Sequence, residues 1–199
     1  MTIHTLNNQI LLTPLKGQRH YVHSTSLFTA IGDLISKHLN GDAWISQLKI
    51  NQMTDKQCVL STESDPSATI GMCTLQYQHD THTLYLLETE NIVTERTHCD
   101  EKTLYQHAQL SNDKINHAYI AGANLIDQVV VLNRYLHDTQ YPPEKQKWVF
   151  TALSLTQALK AYDDSNIQLK ITHKLGSKMT RSALHIDGIC VGRLDFALH

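Results

Sequence analysis

No stretch of this sequence is basic enough, or apolar for long enough, to point to nucleic acid or lipid as a partner. Lys and Arg number 17 against 19 Asp and Glu, a formal charge of -2 with the cations dispersed, whereas a polyanion footprint needs them clustered. The opening residues MTIHTLNNQILLTPLKG lack the basic start and long apolar run of a secretory signal, so the expected location is cytoplasmic. The cysteines Cys58, Cys73, Cys99 and Cys190 contain no C-x-x-C pair. That removes the usual zinc and dithiol signatures and leaves free thiols, with Cys190 expected in the core beside Ile189 and Val191. None of the 13 histidines falls in H-x-x-x-H or H-E-x-x-H, so neither metal nor other cofactor is expected. A G-x-S-x-G nucleophile elbow is also missing.

The most informative stretch present is His117 to Leu136, HAYIAGANLIDQVVVLNRYL. Ile120, Ala121, Ala123, Leu125, Ile126, Val129 to Leu132, Tyr135 and Leu136 go most of the way round a helical wheel, so a helix here has to be wrapped by other structure. Its span of about 18 residues and about 27 Å is short for a membrane, and Asp127 and Arg134 argue further against lipid. The polar run SNDKIN precedes it, and Asp138 and Pro142-Pro143 follow it. Asn124, Asp127, Gln128 and Arg134 fall within one broad stripe of this central helix.

Elsewhere the period changes. A first strand is expected within Asn8 to Leu15, then a helix whose start could be capped by Ser24, Thr25 or Ser26 and which carries Leu27, Ile31, Leu34 and Ile35 before ending near Asn40-Gly41. Alternating runs predict strands at 44–50, 57–62, 68–77 and 83–89, with Gln78 to His82 connecting the last two. Residues 92–97 read as a further strand, and 102–108 are ambiguous. After the central helix, strands are expected at 148–155, 167–173, 181–186 and 189–198, with Asp187-Gly188 as a two-residue turn and Gly176-Ser177 as another.

Residues 1–91 and 92–199 therefore repeat one order of elements: a leading strand, one helix, about four antiparallel strands. The expected class is α+β, with two antiparallel sheets each wrapped round one central helix. That is a double hotdog, the arrangement single-module hotdog proteins reach by dimerising. A homodimer of the whole chain stays open.

Two short segments resemble a known group. Ala121-Gly122-Ala123-Asn124-Leu125-Ile126-Asp127 is similar to the P-G-x-x-x-x-E motif that opens the hotdog helix in fatty-acid dehydratases and in the A-factor (gamma-butyrolactone) synthase family. Val22-His23-Ser24-Thr25-Ser26 is similar to the V-H-x-x-S that starts the N-terminal hotdog of the A-factor family. The chain departs from the patterns at Ala121 for proline, Asp127 for glutamate, Asp113 where the dehydratase histidine falls, and Thr29 where the A-factor family has a glutamate.

The resemblance implies that Asp127 faces an acyl thioester as base or water-orienting group, that Gly122 lets the chain approach it, and that His23 and Ser26 belong to the substrate site. Read on its own, a carboxylate on a wrapped helix needs a wet cavity or a partner, and Arg134 is the alternative partner for Asp127. His117, expected in the loop before the helix, could act as acid or base, with Asn116 donating to the thioester carbonyl and Asn124 lining the same cleft. Arg181 and Arg193 could hold a phosphopantetheine phosphate, or simply be exposed. The expected function is an enzyme acting on an acyl thioester of coenzyme A or acyl carrier protein, by hydrolysis, dehydration or acyl transfer, in fatty-acid, polyketide or signal-molecule metabolism. The alternative is a non-catalytic acyl-binding or interaction module that keeps the hotdog shell.

Overall fold

A computed structural model describes residues 3–39 and 42–199, and the chain divides into two compact units, Met1–Cys99 and Asp100–His199. The class is mixed α+β.

In the first unit, β1 (Ile10–Leu11), β3 (Trp44–Ile50), β4 (Lys56–Ser61), β5 (Thr69–Tyr77) and β6 (Asp80–Ile92) pair antiparallel in the order β1-β4-β6-β5-β3. The strand expected over residues 8–15 is interrupted. Pro14 has no N–H to give a ladder, and the chain resumes as β2 (Leu15–Lys16), which pairs in parallel with β7 (Arg96–Thr97). Helix α1 (Ser24–His38) buries Leu27, Ile31 and Ile35, the expected face. Its start corrects the sequence reading, because the capping position is His23, whose side chain makes no cap hydrogen bond, and Ser24 to Ser26 already lie inside the helix. The expected end at Asn40-Gly41 lies outside the described residues. Gln78 and His79, at φ 52° and 72°, turn the β5–β6 hairpin in two residues, so β6 begins before the expected Thr83.

In the second unit, β8 (Gln109–Ser111), β9 (Lys114–Ala118), β10 (Trp148–Leu155), β11 (Asn166–Leu175), β12 (Met179–Ile186) and β13 (Ile189–Leu198) run antiparallel in the order β10-β13-β12-β11-β9-β8. Helix α2 (Leu125–Gln140) packs on β9, β10 and β11. The SNDKIN run is part of a hairpin and not a prelude to the helix: Asn112, at φ 48°, makes its turn, and His117 is the penultimate residue of β9 instead of a loop residue. The helix accordingly starts eight residues after His117 and continues past Leu136 to Gln140. Gly122 breaks the run at φ +81°, and the Asn124 side chain caps the new start by accepting from the Asp127 N–H. Ile126, Gln128 to Asn133, Leu136 and His137 are buried, which is the wrapped surface the composition demanded.

Asp187 (φ 51°) and Gly188 (φ 80°) form the expected turn. Cys190, expected in the core, is exposed, because burial in β13 begins only at Val191. The strand expected at 92–97 to open the second half lies instead in the first unit, as the end of β6 and as β7, so the second unit is led by β8 and β9, and the two units pair differently. The first strand after the helix lies beside the third in the first unit (β3 with β5) and beside the fourth in the second (β10 with β13). Among the described residues no helix is long and apolar enough to cross a membrane.

Candidate functional site

Alternation along β9 decides which of its residues can face α2. Ile115 and His117 are buried while Asn116 is half-buried on the opposite face, opposite Gln109 and Gln168. Asn116 and His117, expected to act on one thioester, therefore do not share a face.

The His117 ring is held by a compact set of bonds. Its Nδ1 lies 2.5 Å from the Ala118 carbonyl oxygen. Gln128, fully buried on the first turn and a half of α2, accepts from the Ile120 N–H at 3.1 Å through Oε1, which turns its Nε2 toward Ala118 O at 2.9 Å and His117 Nδ1 at 3.1 Å. A bare nitrogen at that distance from a carbonyl oxygen would set lone pair against lone pair, so Nδ1 carries the ring proton and donates it to Ala118. The other nitrogen, Nε2, is buried and has no hydrogen-bond partner. A neutral imidazole with its proton committed at Nδ1 offers a basic nitrogen at Nε2, the arrangement general-base chemistry requires.

The loop between β9 and α2 is braced as well. Tyr119 donates through its hydroxyl to Ala123 O at 2.8 Å, and the Ala123 N–H closes a turn onto Ile120 O at 2.9 Å. Gly122 stands at the third position of that turn with positive φ, which accounts for glycine there, and nothing lies within 4 Å of where its Cβ would be. Asp127 is half-buried on the first turn of α2, and Asn124 is exposed at its cap.

Arg134, the alternative partner for Asp127, is held elsewhere. Its guanidinium forks onto both oxygens of Glu101 and lies 3.9 Å from Asp138, and Tyr105 stacks on Tyr135 at 4.3 Å, so the segment before β8 is laid along α2 by these contacts. Burial raises the Asp138 carboxyl above its ordinary range against the pull of Arg134. Asp113, at the dehydratase histidine position, accepts from the Tyr141 hydroxyl. Arg181 is neutralised by Asp195 at 2.7 and 2.8 Å, while Arg193 is exposed.

Sequence reasoning missed His137. It is fully buried on the last turn of α2, its Nδ1 2.6 Å from Asn133 O and its Nε2 2.5 Å from Thr180 Oγ1, and it stacks on Phe196. Burial pushes its pKa down to about 4. One turn earlier, Asn133 is also fully buried, and neither amide atom of its side chain has a hydrogen-bond partner. Asn133→Leu keeps the heavy-atom count and the branching at Cγ and removes two unpaired polar atoms, so the denaturation midpoint should rise, by about 1–3 kcal/mol of stability. A fall on chemical denaturation would contradict this.

In the first unit, Thr25 is fully buried, and its Oγ1 lies 2.7 Å from His23 Nδ1 and accepts from Lys16 Nζ at 3.0 Å. Ser26 is buried, with its hydroxyl unpartnered. Thr29 donates to Thr25 O at 3.0 Å. Burial pushes the Cys58 thiol up to about 12 and raises Cys73 as well, so neither is a ready thiolate. Among the described residues no three His, Cys, Asp or Glu side chains gather as a metal site.

No family model matches the sequence, and no curated protein matches it. Solved structures do match the fold. The dehydratase domain from the CurJ module of curacin polyketide synthase superposes with TM-score 0.50 at 10% identity, over 95% of this chain and 87% of that one. The tesB protein of Mycobacterium avium subs. paratuberculosis does so with TM-score 0.51 at 5% identity, over 94% and 91%. This is a hotdog fold. At such identities the likeness extends to the fold alone, and the chemistry has to be argued from the chain's own side chains.

Proposed function

We propose that this hotdog chain, built as a double hotdog from two tandem halves that divide near residue 100, is an enzyme acting on an acyl thioester of coenzyme A or an acyl carrier protein. His117 is the base and Asp127 the carboxylate that orients the reacting water or substrate. The observation that carries the reading is the buried, unpartnered Nε2 of His117 beside the start of α2. A bare imidazole nitrogen kept away from water is costly unless something occupies it, and a proton removed from water or from the carbon next to a thioester carbonyl would do so.

Hydrolysis and dehydration-type chemistry fit this better than acyl transfer through the enzyme. The Ser26 hydroxyl has no base bonded to it, and the buried thiols Cys58 and Cys73 are held protonated. Gly122 and Asn124 border the approach to Asp127, and His23 and Ser26 are assigned to substrate binding from the motif resemblance.

The test is turnover of a panel of saturated, 3-hydroxy and 2-enoyl coenzyme A thioesters, followed by thiol release and by the absorbance of the unsaturated thioester. Catalysed change in either signal is expected. Saturable binding with neither signal would overturn the enzyme reading in favour of an acyl-binding module.

A further inference from the structure

We infer that Gln128 is a positioning residue that sets the tautomer of His117, an assignment that rests on the proposed role of His117 as base. Gln128 belongs to the polar stripe of the central helix, yet it is fully buried, so its amide makes all its bonds inside the fold. Those bonds go to the two backbone groups that flank Tyr119. Oε1 takes the Ile120 N–H at 3.1 Å, and Nε2 gives to Ala118 O at 2.9 Å while standing 3.1 Å from His117 Nδ1 as a second donor to the same oxygen.

An amide bonded at both ends cannot rotate to exchange its oxygen and nitrogen without losing both bonds. The Ala118 carbonyl is therefore pinned with its oxygen toward His117 Nδ1, 2.5 Å away. A carbonyl only accepts, so the pinned oxygen draws the ring proton to Nδ1 and leaves Nε2 bare. With Nε2 unpartnered in the fold, nothing on that side of the ring holds the opposite tautomer. Gln128 thus touches no reacting atom and acts through Ala118 and His117, as outer-shell partners orient a histidine in other sites.

Nitrogen NMR of the imidazole of His117 in the full chain tests this without any substrate. In the unsubstituted protein the neutral ring should show Nδ1 protonated and Nε2 bare. Gln128→Met keeps the length and apolar body of the side chain but releases Ala118 O and Ile120 N–H, and it should give a mixture of the two tautomers. Turnover of the best thioester in the panel should fall about 10- to 100-fold in kcat, with KM within about twofold because uniform binding is untouched. Gln128→Leu, which likewise can bond neither Ala118 O nor Ile120 N–H, should show the same shift.

A folded Gln128→Met or Gln128→Leu protein whose His117 keeps the Nδ1-protonated form overturns the inference. If the methionine variant does not fold, the leucine variant carries the measurement. An unsubstituted protein that turns over no thioester overturns the proposed function instead, and the NMR result still decides the role of Gln128.

Discussion

Turnover of an acyl thioester is expected to fall on the order of 100-fold or more in His117→Asn and in Asp127→Asn, with both proteins folded. Asparagine is the informative replacement at each site. At 117 its amide nitrogen stands near the place of Nδ1 and can still donate to Ala118 O, so the bond at 2.5 Å is conserved in kind while the basic Nε2 disappears. At 127 it keeps size and most hydrogen-bonding capacity, and the Asn124 cap bonds the backbone N–H of residue 127, which the substitution leaves alone. Arg134 is held by Glu101 and Asp138, so loss of the Asp127 charge should not strand a buried guanidinium. Thermal melts should accordingly shift little. Folded variants with unchanged kcat would remove the two residues from the chemistry.

Acid should destabilise the second unit through His137, over a defined window. The ring has a folded pKa of about 4 against 6.5 unfolded, a difference of about 2.5 units, worth up to about 3 kcal/mol. The unfolded chain therefore takes up the proton first. The stabilisation is fully present above pH 6.5 and is lost progressively as pH falls toward 4, where the folded ring begins to protonate as well.

Charging the ring is opposed by burial and by Lys174 and favoured by Asp113 and the Asn133 carbonyl, with burial dominant. His137→Phe retains the stacking position beside Phe196 and Trp148, and loses the Thr180 bond. Denaturant melts between pH 7 and pH 4 should show a slope in the parent protein that is smaller by this amount in the phenylalanine variant. Equal slopes would mean that the acid response lies in other groups.

The parts of the fold that could be read from the chain are those set by local pattern. Strands β10 and β13 and the Asp187-Gly188 turn follow from period-two alternation and from the positive φ a two-residue hairpin needs. The β8–β9 hairpin could not be read. Its strands are three and five residues long, its turn is the polar Asn112-Asp113, and His117 to Ile120 run straight into the apolar pattern of α2, so strand, loop and helix merge into one signal.

The same merging put His117 in a loop and Asn116 beside it, when strand alternation places them on opposite faces. The ion pair of Arg134 was hidden for another reason. Glu101 lies 33 residues away in sequence, outside any local spacing rule. His137 carried no signal, since a histidine on a helix's last turn reads as a favourable charge at the dipole end, and only burial against Phe196 and Thr180 shows that it is neutral. Asp127, Gln128 and Asn124 were visible as a stripe, but their separate tasks at surface, core and cap depend on where Gly122 and Asn124 start the helix.

The most direct test of the central claim is a crystal structure of the protein with a non-hydrolysable thioether analogue of an acyl coenzyme A. The account predicts the acyl group seated beside the start of α2, with its reacting centre, or the water that would attack it, about 3 Å from His117 Nε2 and facing Asp127. An analogue bound away from α2, with His117 Nε2 still sealed among core side chains, would contradict it.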